Sequence, residues 1–335
     1  MFRIAVRLSL SALAAFSSHR VLANDDQRAQ AVEKAWRGWM EANGVEASSI
    51  TMLAKGEKLW SHDTAHAPPG GAKSSSRAAP LASLGKAVTG ICVDKLVSAG
   101  RLSYDDRVGA LLDGFNMAPH AGGITVGQLL THTSGLFPDQ TQGTMARWYG
   151  KAKLRHRTAT TTALARKQKG EAGVYAYNNE NYAVLGQIIA EVTGDFYEDV
   201  CRRLVLDPVG VTTASLPKPA GAFGAWGGWS MSTADYARFV QAYFGPSSAM
   251  QKNPASRPSA QMGGGANYGP GMVWRRWRGG HNFWHFGLLC DPRGSFGSYT
   301  ALWKGGYSVV VSFDRCLKFQ KLFDLDGALA EAALQ

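Results

Sequence analysis

The sequence has few charged residues and few cysteines, and several familiar patterns are missing from it. Charged residues make up 18% of the 335 positions and hydrophobic residues 45%, so the chain is not intrinsically disordered. Beyond the extreme N-terminus, no apolar run approaches the roughly 18 residues of a membrane-spanning helix. The 39 glycines follow no three-residue period, which excludes collagen. The sequence is therefore that of a globular protein with a hydrophobic core, folded as one large domain or as two closely packed ones.

None of the four cysteines has the spacing of a metal or redox motif. There is no CxxC pair and no Cys/His cluster with zinc spacing, so no metal is expected. Cys92 and Cys201 fall on apolar helical patterns, and we interpret them as small buried hydrophobic residues. Cys290 and Cys316 flank the C-terminal strands, and we predict a disulfide between them. That bond requires the chain to curl over the sheet edge, because two strand spacings alone separate the Cα atoms by about 9–10 Å.

The N-terminus predicts a secretory signal peptide over residues 1–23. A basic start precedes an apolar run at 8–16, and small residues at 21–23 offer a cleavage site. The alternative is an amphipathic N-terminal helix, since Arg20 lies unusually close to the cut. Cleavage would remove three arginines and no acid, lowering the formal net charge from +11 to +8. We therefore expect a periplasmic or secreted protein, with residues 24–335 as the mature domain.

The positive net charge admits nucleic acid, a membrane surface or an acidic polymer as a partner. Because we expect the protein to be exported, we expect no nucleic-acid partner. Residues 274–278 alternate tryptophan and arginine, a pattern that suits a stacking platform for a polymer. We favour a strand edge with solvated arginines instead.

Hydrophobic periodicity predicts strands at both ends of the chain and helices between them. The predicted strands are 50–54 and 58–62, which form a hairpin, and 268–277, 282–289, 297–304 and 307–313, with a loop at 63–79. The first predicted helix begins at a cap, Asp25 or Asp26, and ends at 43. The other predicted helices are 83–99, 124–132, 181–192, 196–206, 233–244 (with Thr233 as the cap) and 317–334.

The order of these elements predicts a mixed α/β fold of the α+β type. One antiparallel sheet is assembled from both chain ends, with helices on both faces and an all-helical subdomain inserted between. We place the sheet subdomain at about 24–110 and 225–335, and the helical subdomain at about 111–224.

A serine nucleophile is indicated by Ser-x-x-Lys at the start of a helix. The Gly-x-Ser-x-Gly elbow is absent, but Ser-x-x-Lys occurs at Ser83–Lys86 and again at Ser215–Lys218. One helical turn separates the two residues of such a pair, which brings the amine beside the hydroxyl. Pro217 cannot lie inside a helix, so the second match is not expected to be catalytic. Ser83 opens a long apolar helix and is the candidate nucleophile.

The segment Pro-Leu-Ala-Ser-Leu-Gly-Lys-Ala-Val-Thr-Gly at 80–90 resembles the nucleophile segment of the serine β-lactamase and penicillin-recognising superfamily. It is most similar to the branch of class C β-lactamases, esterases and D-peptidases. Further segments match that branch in the expected order, over roughly residues 30–335; they are 100–108, 125–136, 177–179 with 182–186, 227–235, 268–271 and 285–287.

The resemblance implies a role for each matching residue. Ser83 would attack a carbonyl, Lys86 would help to take its proton, and Tyr177 would shuttle a proton to the leaving group. Lys86 would lower the pKa of Tyr177 by charge proximity. Asn179 would bind the substrate amide and orient Lys86. The backbone N–H groups of Ser83 and Leu288 would stabilise the oxyanion.

Histidine at position 285 is the main departure from the β-lactamases of this branch, which usually carry lysine there. His285 is a weaker, pH-dependent cation, so the resemblance favours peptidase or esterase activity over β-lactamase activity. Gly287 would let the substrate approach the backbone closely. We interpret His132 as a satisfied structural histidine and His281 as strand surface.

The sequence therefore predicts an exported serine hydrolase that cleaves an amide or ester through a Ser83 acyl-enzyme, similar to D-peptidases or esterases. One alternative is a class C-type β-lactamase, and another is a non-hydrolytic penicillin- or peptidoglycan-binding relative. The presence of Ser83, Lys86 and Tyr177 together argues against a mere binding module. No cofactor is expected, and the partner would be a small-molecule or peptide substrate, with the cell envelope as one candidate source.

Overall fold

The computed structural model describes residues 10–64, 77–303 and 305–334, with residues 10–24 described by their backbone alone. Within them, eight antiparallel strands form the main sheet, in the order β2-β1-β10-β9-β8-β7-β6-β5, and β3 pairs with β4. The strands are β1 Ser48–Ala54, β2 Glu57–Asp63, β3 Ala79–Pro80, β4 Ser230–Met231, β5 Ala260–Gly263, β6 Ala266–Tyr268, β7 Val273–Trp277, β8 Gly280–Leu289, β9 Phe296–Leu302 and β10 Tyr307–Phe313. The predicted mixed α/β fold with an antiparallel sheet is confirmed.

Most of the helical residues lie between the N-terminal hairpin and the C-terminal strands. The α-helices are α1 Leu10–Asn43, α2 Gly85–Ser98, α3 Val108–Leu111, α4 Val126–Leu130, α5 Thr141–Trp148, α6 His156–Ala165, α7 Asn179–Thr193, α8 Tyr197–Cys201, α9 Thr233–Phe244, α10 Ala249–Lys252 and α11 Gln320–Leu334. Short 3₁₀ turns occur at Ala82–Leu84, Ala121–Gly123, Asp207–Val209, Gly221–Trp226 and Pro254–Ser256, and a π-helix occurs at Arg202–Leu206. None of the described helices is long and apolar enough to cross a membrane.

The sheet is assembled from both ends of the chain, as predicted. β1 pairs with β2 on one side and with β10 on the other, both antiparallel. Lys55 and Gly56, which connect β1 to β2, both have positive φ angles, 50° and 97°. That conformation suits a two-residue hairpin turn, and glycine adopts it at little cost.

The chain forms two compact units, of which the two terminal helices are one and residues 45–318 the other. In the first unit, the Trp39 indole N–H donates to the Lys321 carbonyl at 2.8 Å. The predicted cap at Asp25 or Asp26 is wrong, because α1 begins at Leu10 and passes through those positions. Residues 1–9 of the predicted signal lie outside the described residues, as does most of the predicted 63–79 loop, and cleavage at residue 23 stays a prediction.

Two disulfides join the four cysteines. Cys290 and Cys316 are bonded with their Cα atoms 5.1 Å apart, which confirms the predicted pair. Cys92 of α2 and Cys201 of α8 are also bonded, with a Cα–Cα distance of 5.3 Å. Both are fully buried, as expected, but the interpretation as simple apolar residues is wrong. The apolar periodicity locates a buried cysteine without showing that a second one faces it.

Some helix ends differ from their predictions. Ser232, not Thr233, caps α9 by accepting a hydrogen bond from the Asp235 N–H. α7 begins at Asn179, capped by the Asn178 side chain, and ends at Gly194 with the left-handed φ of 75° that favours glycine. This start places Asn179 in the first turn of a buried helix, with its side chain directed at the site described next.

Candidate active site

Ser83 and Lys86 lie together where a 3₁₀ turn leads into α2. Ser83 is on the turn Ala82–Leu84, and Lys86 is in the first turn of α2. The Lys86 side chain is fully buried, and its Nζ lies 3.1 Å from Ser83 Oγ. Nζ also donates to Asn179 Oδ1 at 2.8 Å and to the Trp226 carbonyl at 2.6 Å. These contacts hold the amine beside the candidate nucleophile.

Burial changes the acidity of this amine. Desolvation lowers the pKa of Lys86 to about 7, against a smaller effect of Asp139, whose negative charge raises it. A substantial fraction of Lys86 is therefore neutral near pH 7. A neutral amine 3.1 Å from a hydroxyl can accept the hydroxyl proton, which an ordinary lysine ammonium cannot.

Tyr177 completes the group, but its acidity is the opposite of the prediction. Its ring centroid lies 5.0 Å from Lys86 Nζ. The Tyr177 side chain is 39% exposed, but the surroundings of its hydroxyl are desolvated, which raises the pKa of that hydroxyl although a hydrogen bond with Ser83 opposes the rise. The expected net lowering by Lys86 is wrong, because desolvation of the hydroxyl is the largest effect on its pKa. The tyrosine is thus a proton donor in the resting site.

His132 holds the backbone on both sides of Tyr177. Its carbonyl accepts from the Ala176 N–H at 2.9 Å, and its Nδ1 accepts from the Asn178 N–H at 3.3 Å. The rings of His132 and Tyr177 lie 4.4 Å apart between centroids. The structural interpretation fits these contacts, but the histidine is not fully satisfied, since its buried Nε2 has no hydrogen-bond partner among the described residues.

Two residues that the sequence analysis missed support Asn179. Asn179 Nδ2 donates to Thr141 Oγ1 at 3.2 Å, and Thr141 Oγ1 donates to Asp139 Oδ1 at 2.6 Å. The Asn179 N–H also donates to Asp139 Oδ2 at 3.0 Å. An Asp-x-Thr pattern before a helix indicates a local cap. The spacing of this pattern does not indicate that the Asp139 carboxylate also accepts a hydrogen bond from the start of α7, 40 residues later.

His285 lies on β8 and is buried, only 5% exposed. Its Nδ1 lies 2.8 Å from the Phe286 carbonyl, and its Nε2 lies 3.3 Å from the Tyr268 hydroxyl. Because a carbonyl only accepts, Nδ1 carries the proton. Burial, and secondly the charge of Lys86, lower the pKa of His285 to about 3. The expectation of a pH-dependent cation at His285 is wrong near neutral pH in the free protein, because burial keeps the imidazole neutral there.

Gly287 brings β8 against the nucleophile turn. A Cβ atom at this position would lie 2.5 Å from the Leu81 carbonyl oxygen and 3.0 Å from Ser83 N. No side chain can occupy that gap, so the glycine is required by close approach. Leu288 follows directly on the same strand. Its role as the second oxyanion donor stays a prediction.

The other sequence candidates lie outside this arrangement. Ser215 forms an isolated bridge with Ser230, and Lys218 is exposed. His281 bonds to Gln251 and not to the site residues. No group of side chains in the described ranges could hold a metal ion.

The arginine and tryptophan cluster at 274–278 is partly exposed, as predicted. The predicted strand edge is wrong, because β7 pairs with β6 on one side and with β8 on the other. Arg275 and Arg278 lie over the Trp277 ring, with their guanidinium carbons 5.5 and 5.6 Å from its centroid. Trp277 is 43% exposed. This surface is separate from the contacts that surround Ser83.

Solved structures share the fold at low sequence identity. A β-lactamase/D-alanine carboxypeptidase from Pseudomonas syringae gives a TM-score of 0.72 at 16% identity, covering 91% of this chain and 98% of that one. A D-amino acid amidase from Ochrobactrum anthropi SV3 also gives 0.72, at 18% identity over 90% and 98% of the two chains.

Among curated sequences, penicillin-binding protein 4 of Amycolatopsis lactamdurans is 33% identical to this chain over 145 residues. The putative penicillin-binding protein PbpX of Bacillus subtilis is 32% identical over 133 residues. These stretches span 42% and 40% of this chain, but only 37% and 31% of the two relatives. The sequence pattern of the Beta-lactamase family matches residues 52–315. With most of the chain matched and the fold shared, the protein belongs to the Beta-lactamase family.

Proposed function

We propose that the protein is a serine hydrolase that cleaves an ester or amide through an acyl-enzyme on Ser83. The observation that carries the proposal is the buried Lys86 amine, 3.1 Å from Ser83 Oγ and with a pKa of about 7. A base whose pKa lies near the working pH is effective in proton transfer. Membership of the Beta-lactamase family supports the same chemistry.

In acylation, Ser83 Oγ attacks the substrate carbonyl carbon while its proton passes to neutral Lys86. The bond to the leaving group then breaks, and the leaving group takes a proton from Tyr177, whose raised pKa keeps its hydroxyl protonated. We assign the return of a proton to Tyr177 to Lys86, the neighbouring amine, whose Nζ lies 5.0 Å from the centroid of the tyrosine ring. Water then attacks the ester carbonyl with Lys86 again as the base, which releases the acid and restores Ser83.

The tetrahedral intermediate needs donors for its oxyanion. We assign this role to the backbone N–H groups of Ser83 and Leu288. The close approach of Gly287 to Ser83 N supports the assignment, because it brings the strand that carries Leu288 beside the nucleophile.

The substrate class follows from the neutral state of His285. With a pKa of about 3, it cannot pair with a substrate carboxylate at neutral pH. We therefore propose neutral esters and amides as preferred substrates, in the manner of an esterase or a D-amino acid amidase, over β-lactams, which carry a carboxylate. The similarity to a D-amino acid amidase supports amide chemistry. β-Lactam hydrolysis and non-hydrolytic binding are the remaining alternatives.

Export is a separate proposal that rests on the sequence of residues 1–23. Mass spectrometry of the protein recovered from outside the cytoplasm should find Asn24 at the N-terminus. An intact N-terminus on all recovered protein would contradict it.

The test of function compares wild type with Ser83→Ala on four substrates. These are a p-nitrophenyl ester, a D-amino acid amide, a D-Ala-D-Ala peptide and a cephalosporin. The proposal expects turnover of the ester or the amide, lost in the variant, and a covalent acyl adduct on Ser83 in intact-protein mass spectra. Equal turnover by Ser83→Ala would refute it, and a cephalosporin preference would favour the β-lactamase alternative.

A further inference from the structure

A chain of hydrogen bonds runs from Lys86 to a carboxylate outside the predicted site. Lys86 Nζ donates to Asn179 Oδ1 at 2.8 Å, Asn179 Nδ2 donates to Thr141 Oγ1 at 3.2 Å, and Thr141 Oγ1 donates to Asp139 Oδ1 at 2.6 Å. Every donor in the chain points towards Asp139. Thr141 and Asn179 are 2% and 4% exposed, so water has little access to the intermediate groups.

The carboxylate fixes the direction of this chain. Asp139 only accepts when ionised, so the Thr141 hydroxyl hydrogen is committed to it and the Thr141 oxygen can only accept from Asn179. Asn179 must then present its NH₂ group to Thr141 and its carbonyl oxygen to Lys86. Without the carboxylate, Thr141 could turn and donate, and Asn179 could flip its NH₂ group towards the amine.

Asp139 also links the two helices that carry these side chains. It accepts from the Thr141 N–H at the start of α5 at 2.9 Å and from the Asn179 N–H at the start of α7 at 3.0 Å. Negative charge at a helix N-terminus is favourable, and this carboxylate serves two such ends. A purely structural cap would need no further explanation, so a test must separate capping from an effect on Lys86.

We propose that Asp139 is a positioning residue that orients Asn179 through Thr141 and stabilises the charged form of Lys86. The inference rests on the proposed function for its catalytic meaning, but the effect on Lys86 is measurable without turnover. Asp139 raises the pKa of Lys86 against the larger effect of desolvation. It thereby keeps the amine able to hold the proton that it takes from Ser83.

Other groups around Lys86 do not compete for this electrostatic role. Tyr177 and Tyr182 present ring faces to the amine, with centroids 5.0 and 5.7 Å from Nζ. Burial and the Lys86 charge lower the pKa of both His132 and His285, so both are neutral where Lys86 titrates. The Trp226 carbonyl is an uncharged acceptor.

The experiment titrates Lys86 by NMR in the full chain labelled with ¹³Cε-lysine, its signal assigned by its loss in Lys86→Met. Asp139→Asn removes the charge and should lower the pKa of Lys86 by about 0.5–1 unit. Thr141→Val keeps the charge and both backbone caps, so it should leave that pKa nearly unchanged. Thr141→Ser restores the hydroxyl, and Asp195→Asn, at the far end of α7, is the matched charge control.

Kinetics on the best ester give the second readout. The acid limb of kcat/KM should move to lower pH in Asp139→Asn, because the neutral amine then persists to lower pH. Thr141→Val should lose kcat by about tenfold through misorientation of Asn179, with the limb unmoved and with activity recovered in Thr141→Ser.

An unchanged Lys86 pKa in folded Asp139→Asn would overturn the inference and leave Asp139 a helix cap. Full activity in Thr141→Val would overturn the proposal that Asp139 orients Asn179 through Thr141. If Ser83→Ala hydrolyses as well as wild type, the proposed function fails, and the NMR titration alone decides whether Asp139 acts on Lys86. Circular dichroism and thermal unfolding confirm that each variant is folded.

Discussion

The two Ser-x-x-Lys sequences have the same spacing and opposite surroundings. At Ser83 the chain enters a buried helix, and the lysine one turn on is fully buried with three hydrogen bonds. At Ser215 the chain is extended, its backbone exchanges hydrogen bonds with Ser230, and Lys218 is exposed. The difference teaches that spacing alone does not make a catalytic pair; a helical backbone and desolvation must accompany it.

The strongest way to break this comparison is to remove each serine in turn. Ser83→Ala should reduce kcat/KM by about 10³-fold or more, because in the described part of the chain Lys86 Nζ bonds to no other hydroxyl. Ser215→Ala should leave turnover unchanged. Initial rates on the best ester, with thermal unfolding as the check on folding, measure both. Comparable losses of kcat/KM in the two variants would mean that Ser-x-x-Lys spacing identifies a catalytic serine better than burial of the lysine does.

The lysines offer the next contrast. Lys86→Met should cost about 10³-fold in kcat, since the loss of a general base typically costs 10²–10⁴-fold. In the wild type, kcat/KM should rise with pH through about 7, because the neutral amine is the active form and increases as pH passes the pKa of Lys86. Lys218→Met should alter neither the rate nor the profile. A wild-type profile that is flat from pH 5 to 9 would contradict the role of Lys86.

In the Ser83 region, strand β8 of the main sheet packs against the nucleophile turn. Gly287→Ala should push β8 away from Leu81 and Ser83, lowering activity by about 10²-fold and stability by about 1–3 kcal/mol. Gly143→Ala, on α5 where nothing lies within 4 Å of a Cβ, is the matched control and should be neutral or slightly stabilising. Activity and chemical denaturation of both variants provide the measurement, and an active Gly287→Ala enzyme would speak against the Leu288 donor.

The smallest expected effect concerns charge at position 285. His285→Lys should raise the preference for a carboxylate-bearing substrate over a neutral ester by about tenfold, because lysine supplies the missing cation. His285→Gln should not change that preference. Parallel kcat/KM measurements on a cephalosporin and a p-nitrophenyl ester decide the matter. A wild-type preference that changes between pH 6 and 7 would show that His285 titrates there after all.

Local patterns predicted much of the fold. The β1–β2 hairpin, the apolar helix α2 and most of α7 were all predicted from the periodicity and turn residues of their own segments. The closely spaced pair Ser83 and Lys86 was also accessible, since one helical turn relates them. Its resemblance to a known family extended the prediction to Tyr177 and Asn179.

The missed features depend on distant contacts. Asp139 accepts a hydrogen bond from Asn179, which lies 40 residues further along the chain, and Cys92 forms a disulfide with Cys201, 109 residues further along. The expected pKa of Tyr177 rested on the nearby charge of Lys86, and the expected charge of His285 rested on the ordinary pKa of histidine. In the structure both pKa values are dominated by desolvation, which depends on everything packed around the group.

The Cys92–Cys201 bond has a topological consequence for the site. It closes a covalent ring that contains Asp139, Tyr177 and Asn179. Lys86 lies on α2, the helix from which the ring begins, and Ser83 lies on the turn just before that helix. A single proteolytic cut between residues 93 and 200 therefore leaves both pieces attached. The nicked protein should run as one species on a non-reducing gel and as two after reduction, with Tyr177 still tethered to the helix that follows the nucleophile.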